Sequence, residues 1–181
     1  MENTESTVRL DEGTRRILIA GEIDENTSTD ILQYFLELEK SDGAINIVFL
    51  ASPGGSWDHG LGLLQLFLNS ENYINTFLLG PNSSTSAMLY LAGDSRYISP
   101  RSSLMFHYGS LELDDTYKEV INYTELAKKE LEEDHLYLSE RSNKPPAYWK
   151  EMLNKGNVYI DTDRSLELGL AHEIKLPSEK S

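Results

Sequence analysis

The chain has 181 residues and no cysteine, so we expect one domain with a hydrophobic core and exclude disulfides and thiolate metal sites. Its formal net charge of −14 argues against nucleic acid as a partner, because phosphate binding needs a basic face. No apolar stretch is long enough for a signal peptide or a membrane span, so the expectation is a soluble, cytoplasmic protein that does not contact membranes.

The composition along the chain predicts one domain with short ends. We expect a flexible N-terminal segment over 1–15, a single domain over 16–176 and a C-terminal tail over 177–181. Acidic residues concentrate in 22–39 and 112–140. Solvated helix faces are the simpler interpretation of this pattern, and an acid-lined chamber or pore is the alternative.

Three short apolar runs in the first half, 16–21, 44–50 and 73–79, predict buried strands. Helices are predicted between them, the first capped at Ser28 and the second with an apolar face over 61–68. The alternation of strand and helix favours βαβ units and a mostly parallel sheet.

The second half combines short elements with one long helix. Small residues over 83–87 lead into a buried helix over 88–92, and brief strands are predicted over 96–99 and 104–106. The charged segment 115–141 predicts a helix with more exposed surface than core packing needs, an arm that projects towards another subunit. The last predicted elements are a helix started by Pro145 and Pro146, a strand over 157–160, a helix over 162–168 capped by Thr162, and a strand over 171–174.

Three pieces of the sequence supply the groups that nucleophilic catalysis needs. Ser84 lies at a predicted strand-to-helix junction, where a side chain is exposed and the N–H of Thr85 points the same way. His107 ends an apolar strand and can act as a general base. The glycine turn 52–55 follows a strand, and the Gly55 N–H is the natural second donor to an oxyanion. Taken singly, each piece also has a plainer interpretation, as helix-start residues, a structural histidine and a tight turn.

The sequence favours neither a metal nor a cofactor. His59, His135 and His172 have no metal-ligand spacing with a carboxylate. The glycine turn matches neither the dinucleotide-binding nor the phosphate-loop spacing.

Read together, these residues resemble the proteolytic subunit of the Clp protease, the ClpP family. Its pattern has a Ser-Pro-Gly-Gly turn after a strand, then a Gly with the nucleophile four residues on, and a second Gly nine residues beyond the serine. An Arg-aromatic strand, a Pro and an apolar run closed by His follow. The matching residues are Gly80, Ser84, Gly93, Arg96, Tyr97, Pro100 and His107. The resemblance extends over 16–174.

The resemblance implies an α/β fold of the ClpP/crotonase type, a repeated ββα spiral with a protruding handle helix at about 114–141. It implies a serine endopeptidase in which Ser84 is the nucleophile, His107 the base, and Gly55 and Thr85 the oxyanion donors. It also implies self-association into a heptameric ring around a chamber, with unfolded polypeptide or peptide as substrate.

The third catalytic position departs from the family pattern. The family's Asp lies twelve residues ahead of the Gly that is here Gly169, and this position reads Asn157. An asparagine can orient an imidazole but cannot stabilise an imidazolium with a full charge. Asp161 and Asp163 are the alternatives; Asn157 is preferred because 158–160 then takes the place of the family strand.

Other departures leave parts of the family's behaviour open. The segment before residue 16 is shorter than the family's N-terminal hairpin, and the glycines that usually follow the base are missing from 108–112. Stacking into a double ring and docking of an AAA+ unfoldase therefore stay open, and the divergence fits a phage-encoded member. Because of Asn157, a catalytically weak or inactive ring subunit that assembles with an active partner is the second hypothesis. A crotonase-type acyl-CoA enzyme is a third, which the Ser84 and His107 pair does not favour.

Overall fold

The structure, a computed structural model, describes residues 7–110 and 114–177. The helices of this part are α1 Glu25–Leu38, α2 Trp57–Leu68, α3 Thr85–Tyr90, α4 Tyr117–Glu140, α5 Pro146–Asn154 and α6 Thr162–Glu167. The strands are β1 Val8–Asp11, β2 Arg16–Ile23, β3 Ile45–Gly55, β4 Ile74–Leu79, β5 Pro81–Ser83, β6 Ser95–Ile98, β7 Ser103–Phe106, β8 Val158–Asp161 and β9 Glu173–Ile174. Within these ranges, every helix is too short or too polar to cross a membrane.

A six-stranded sheet in the order β1-β2-β3-β4-β6-β9 forms the centre of the molecule. β1 is antiparallel to β2, and all other neighbours are parallel. The parallel strands are rich in Ile, Leu, Val and Phe because helices cover the sheet. Phe35 of α1 and Phe67 of α2 contact each other over this core, with ring centroids 5.0 Å apart.

A second sheet of three short strands, in the order β5-β7-β8, stands beside the first. Gly80, at φ 78°, separates β4 in the large sheet from β5 in the small one. The turn between β6 and β7 makes the same transfer. β4-β5-α3 and β6-β7-α4 are therefore two ββα units, and the chain has the repeated α/β architecture that the sequence analysis expects.

Helix α4 buries side chains only close to its C-terminal end. Its buried residues are His135 and Leu138, and the Tyr137 hydroxyl donates to the Met88 carbonyl (3.1 Å). Over 117–129, the side chains are exposed or at most half-buried. In the single chain, the N-terminal half of this helix therefore has few contacts with the body.

Strand β1 differs from the expectation for 1–15, which the sequence analysis treats as flexible. Val8 pairs with Ile19 of β2, and its side chain is 2% exposed. A four-residue strand is too short for its periodicity to be visible in the sequence, and its pairing with β2 stabilises it.

The N-caps of two helices also differ from the expectation. α1 begins at Glu25, ahead of the predicted cap Ser28, because the Asp24 side chain accepts an N–H of the first turn. α6 is capped by Asp161 in the same way, and the predicted cap, Thr162, is the first helical residue. In both cases an aspartate upstream of the predicted residue supplies the acceptor for the helix N-terminus.

Candidate active site

Ser84 lies where β5 ends and α3 begins. Its N–H donates to the Met105 carbonyl of β7 (2.7 Å), and its own carbonyl accepts from Met88 N–H in α3 (3.1 Å). Between these two bonds the backbone takes φ 54° and ψ −129°, a conformation that is strained for any residue other than glycine. The side chain is half-buried and caps no N–H of α3, so its hydroxyl is available to a ligand.

The glycine turn at the end of β3 packs directly against this junction. A bulge interrupts the pairing of β2 with β3 between Leu50 and Gly54, within the turn, as is common next to active sites. A methyl group added at Gly54 would lie 2.5 Å from the Ser83 carbonyl oxygen and 2.8 Å from Ser84 Cβ. Gly54 and Gly55 have φ 90° and 152°. Only glycine therefore allows the turn to approach the serine this closely.

Two backbone N–H groups at the junction are suited to bind a negatively charged oxygen. Thr85 is the first residue of α3, where N–H groups have no acceptor within the helix. Gly55 lies opposite Ile23 of the parallel strand β2, and the Ile23 carbonyl accepts the N–H of the following residue, Ser56. In this pairing the Gly55 N–H makes no bond to β2. The Gly54 N–H is already bonded to a serine hydroxyl. The Gly55 and Thr85 N–H groups thus have no partner in β2 or in α3 and are the candidate oxyanion donors.

His107 follows β7 at the same edge of the small sheet. β5 and β7 are parallel neighbours with Ser83 opposite Met105, so Ser84 and His107 both lie just beyond the carboxyl ends of their strands. Adjacent strands are about 4.8 Å apart, so the backbones of the two residues lie at neighbouring strand ends. Within 7–110 and 114–177, neither the Ser84 hydroxyl nor the His107 ring makes a hydrogen bond. Catalytic hydrogen bonds are often long in the absence of substrate.

Asn157 stands at the His107 end of strand β8. In the antiparallel pairing of β7 with β8, Phe106 lies opposite Val158. Continued by one residue, the same register sets His107 opposite Asn157. Asp161 pairs with Ser103 at the far end of the strand, and its carboxylate caps α6. Asp163 is exposed on α6, beyond that cap. By this register the asparagine lies closer along the strands to the histidine than either aspartate does.

Tyr108 connects the His107 end of β7 to helix α4. Its hydroxyl is hydrogen-bonded to His135 Nε2 (2.8 Å), and the two rings meet edge to face. Burial lowers the pKa of His135. Burial, reinforced by two neighbouring glutamates, raises the pKa of Asp134 to about 7. Tyr108, Asp134 and His135 thus form a poorly solvated polar cluster near the C-terminal end of α4. Tyr108 directly follows His107 in the chain.

The remaining histidines lie elsewhere. His59 is exposed on α2, and His172 Nδ1 accepts the Arg96 N–H (3.2 Å). Among the residues that the structure describes, no three His, Asp or Glu side chains are grouped so that they could hold a metal ion.

Sequence reasoning missed the strain at Ser84 and two side chains that bond to the glycine turn, Asn82 and Thr85. Asn82 Oδ1 accepts from Ser52 N–H (3.2 Å), and the Thr85 hydroxyl donates to the Gly55 carbonyl (3.0 Å). In the sequence, the only sign of these contacts is Asn82, a single asparagine in a segment of small residues. Nothing local predicts a contact that crosses 30 residues of chain.

Comparison with known proteins gives the family that the sequence analysis expects. A sequence model of the Clp protease family matches residues 3–177, nearly the whole chain, which includes the glycine turn, Ser84 and His107. Proteins of this family are serine-type peptidases and generally form oligomeric rings. The chain therefore belongs to the Clp protease family, as a ClpP-like member.

Proposed function

We propose that this chain is a serine endopeptidase whose nucleophile is Ser84. The observation that carries the proposal is the backbone of Ser84, held at φ 54° and ψ −129° between a strand and a helix. Strain of this kind costs about 1–3 kcal/mol and persists only where surrounding contacts impose it, often at active sites. A sharp strand-to-helix turn also presents the hydroxyl of other serine nucleophiles, next to an N–H that binds the oxyanion.

In the proposed mechanism, Ser84 Oγ attacks the carbonyl carbon of a peptide bond while His107 takes the hydroxyl proton. The carbonyl oxygen becomes an oxyanion, which the N–H groups of Gly55 and Thr85 stabilise. His107 then gives its proton to the leaving amine, and the C–N bond breaks to leave an acyl-enzyme. Water attacks this ester while His107 takes its proton. The bond between the acyl carbon and Ser84 Oγ then breaks, His107 returns the proton to Oγ, and the acid product leaves.

Asn157 would hold His107 in its working orientation. Its amide oxygen can accept a hydrogen bond from the imidazole N–H and so fix the tautomer. It supplies no negative charge to the imidazolium that forms during each step, so slower turnover is expected than with an aspartate.

Membership of the family supports a proposal for the substrate and the assembly. We propose that the chain self-associates into a ring, as a heptamer, and cleaves unfolded polypeptide or peptides inside its chamber. The exposed N-terminal half of α4, with Tyr117 at 84% exposure, would serve as a handle between subunits. Sedimentation of the purified protein tests this, and a monomer at micromolar concentration would exclude the ring. Stacked rings and an AAA+ unfoldase stay predictions.

The experiment that tests the function is hydrolysis of a fluorogenic peptide by the wild type, Ser84→Ala and Ser83→Ala. The second variant is a matched control, since Ser83 is the preceding half-buried serine. We expect Ser84→Ala to lower kcat by at least ~10³-fold and Ser83→Ala to retain activity. Cleavage by purified Ser84→Ala at the wild-type rate would remove Ser84 from the mechanism.

A second candidate function is a catalytically weak or inactive ring subunit that assembles with an active partner. Two observations favour it: Asn157 in the third position, and the absence of a hydrogen bond from the described residues to the His107 ring. No reaction of the wild type with a serine-directed fluorophosphonate, together with co-assembly with an active subunit, would establish this function instead.

A further inference from the structure

The two candidate oxyanion donors belong to different parts of the fold. Gly55 is the last residue of β3, whereas Thr85 is the first residue of α3, on the far side of Ser84. An oxyanion hole stabilises a transition state only if both N–H groups are held at a fixed distance from the same point. Something must therefore fix the separation between these two peptides.

The body of the glycine turn is held by Asn82. This side chain is 1% exposed, and its Oδ1 accepts from Ser52 N–H (3.2 Å) and from Ser86 Oγ (3.0 Å). Ser52 Oγ in turn accepts the Gly54 N–H (3.2 Å). The network thus joins the turn to the segments before and after Ser84, but it ends at Gly54, one residue short of the candidate donor.

The Thr85 hydroxyl holds Gly55 from the other side, through the carbonyl of the Gly55–Ser56 peptide that follows the donor. Thr85 Oγ1 donates to the Gly55 carbonyl at 3.0 Å, and Thr85 is 2% exposed. Its methyl group packs against Gly60 of α2, where an added Cβ would overlap Thr85 Cγ2. Because Thr85 is β-branched and its methyl is enclosed, its hydroxyl is aimed at Gly55 without freedom to rotate away.

We propose that Thr85 is a positioning residue for the oxyanion hole. Its hydroxyl holds Gly55 and so fixes the Gly55 N–H relative to the Thr85 N–H. The inference rests on the proposed peptidase function and adds a role for a side chain to it. Thr85 then contributes two groups: its N–H binds the oxyanion, and its hydroxyl positions the Gly55 N–H.

The test compares Thr85→Val, which keeps the enclosed shape and removes the hydroxyl, with Thr85→Ser, which keeps the hydroxyl and removes the methyl. For Thr85→Val we expect kcat to fall about 10- to 100-fold with KM unchanged, since removal of a whole oxyanion donor costs about 10²–10³-fold. The affinity for a peptide boronate, which forms a tetrahedral adduct on the serine, should fall by the same factor. Thr85→Ser should retain most of the wild-type kcat and boronate affinity.

Thr29→Val is the matched control, because Thr29 Oγ1 also donates to a backbone carbonyl (2.7 Å) but lies exposed on α1. It should change neither kcat nor boronate affinity. Wild-type kcat in Thr85→Val, or equal losses in Thr85→Val and Thr85→Ser, would overturn the positioning role. A wild type that binds no boronate and cleaves no peptide would instead overturn the proposed function itself, so the two failures are distinct.

Discussion

Gly54 is the residue at which an added side chain would collide directly with the backbone around Ser84. A Cβ there would lie 2.5 Å from the Ser83 carbonyl oxygen, 2.8 Å from Ser84 Cβ and 3.0 Å from the Thr85 nitrogen. All three atoms belong to the nucleophile junction and two of them to its backbone, so the junction itself would have to move. The positive φ of Gly54 adds strain for any L-residue.

We predict that Gly54→Ala lowers kcat of peptide hydrolysis by ~10²-fold or more, because the serine and the Thr85 N–H are displaced together. Gly62→Ala is the control, since a Cβ at Gly62 of α2 meets nothing within 4 Å. Steady-state kinetics of the two variants decide the matter. Equal activity of both would show that the glycine turn does not support the nucleophile.

In the proposed triad, the uncharged Asn157 is the residue next to His107. An aspartate at this position would stabilise the imidazolium that forms in each proton transfer. We predict that Asn157→Asp raises kcat by at least ~10-fold with little change in KM, below the ~10⁴-fold that the reverse change costs in a complete triad. Initial rates with a fluorogenic peptide measure it. An unchanged or lower kcat would mean that residue 157 does not contact the His107 ring.

At the scale of elements, the C-terminal end of α4 is where pH should act on stability. Burial raises the pKa of Asp134 from 3.8 to about 7, so the folded protein holds this proton more tightly than the unfolded chain does. The contribution of Asp134 to stability is therefore fully present below pH 3.8 and decreases as the pH rises to about 7. Above that pH the folded state carries a poorly solvated carboxylate.

We predict that Asp134→Asn raises Tm at pH 8 and has little effect at pH 4. Each pKa unit corresponds to ~1.4 kcal/mol, and each kcal/mol to roughly 2–4 °C in a chain of this length, so a gain of several degrees is expected. Thermal unfolding at the two pH values provides the measurement. The same Tm change at both would show that the carboxyl group does not titrate between them.

Most helices and strands could be predicted from sequence, because their periodicity is local. The apolar runs that become β2, β3 and β4 and the charged helix α4 are visible without any partner. The positive φ of Ser84 could not be predicted, since it results from Met105 on one side and the glycine turn on the other. The same holds for the side-chain bond from Thr85 to Gly55. Ser84, His107 and Asn157 were found through their order and spacing, and their roles stay predictions.

At the scale of the molecule, Arg96 ties the peptidase domain together. Its buried guanidinium donates to four backbone carbonyls, those of Gly93, Arg141, Gly169 and Leu170. These carbonyls follow α3, α4 and α6, so one side chain joins three helix ends. The site itself draws residues from both sheets, and its geometry therefore depends on this packing.

We predict that Arg96→Met lowers Tm by roughly 10 °C, because four buried carbonyls lose their donor at a cost of about 3–5 kcal/mol. Arg164→Met is the control, since Arg164 is exposed and its ion pair with Glu167 contributes about 0–1 kcal/mol. Calorimetry of the two variants separates them. Equal Tm values would show that the Arg96 bonds contribute nothing to the fold.

The most direct measurement is to locate the adduct of a fluorophosphonate on the wild-type protein by peptide mass spectrometry. A hydroxyl reacts with this reagent only when a base takes its proton and an oxyanion site holds the phosphoryl oxygen. We predict one adduct per chain, on Ser84, that is lost in Ser84→Ala and strongly reduced in His107→Ala. An adduct on another serine, or none on the assembled wild type, would contradict the assignment of Ser84 as the nucleophile.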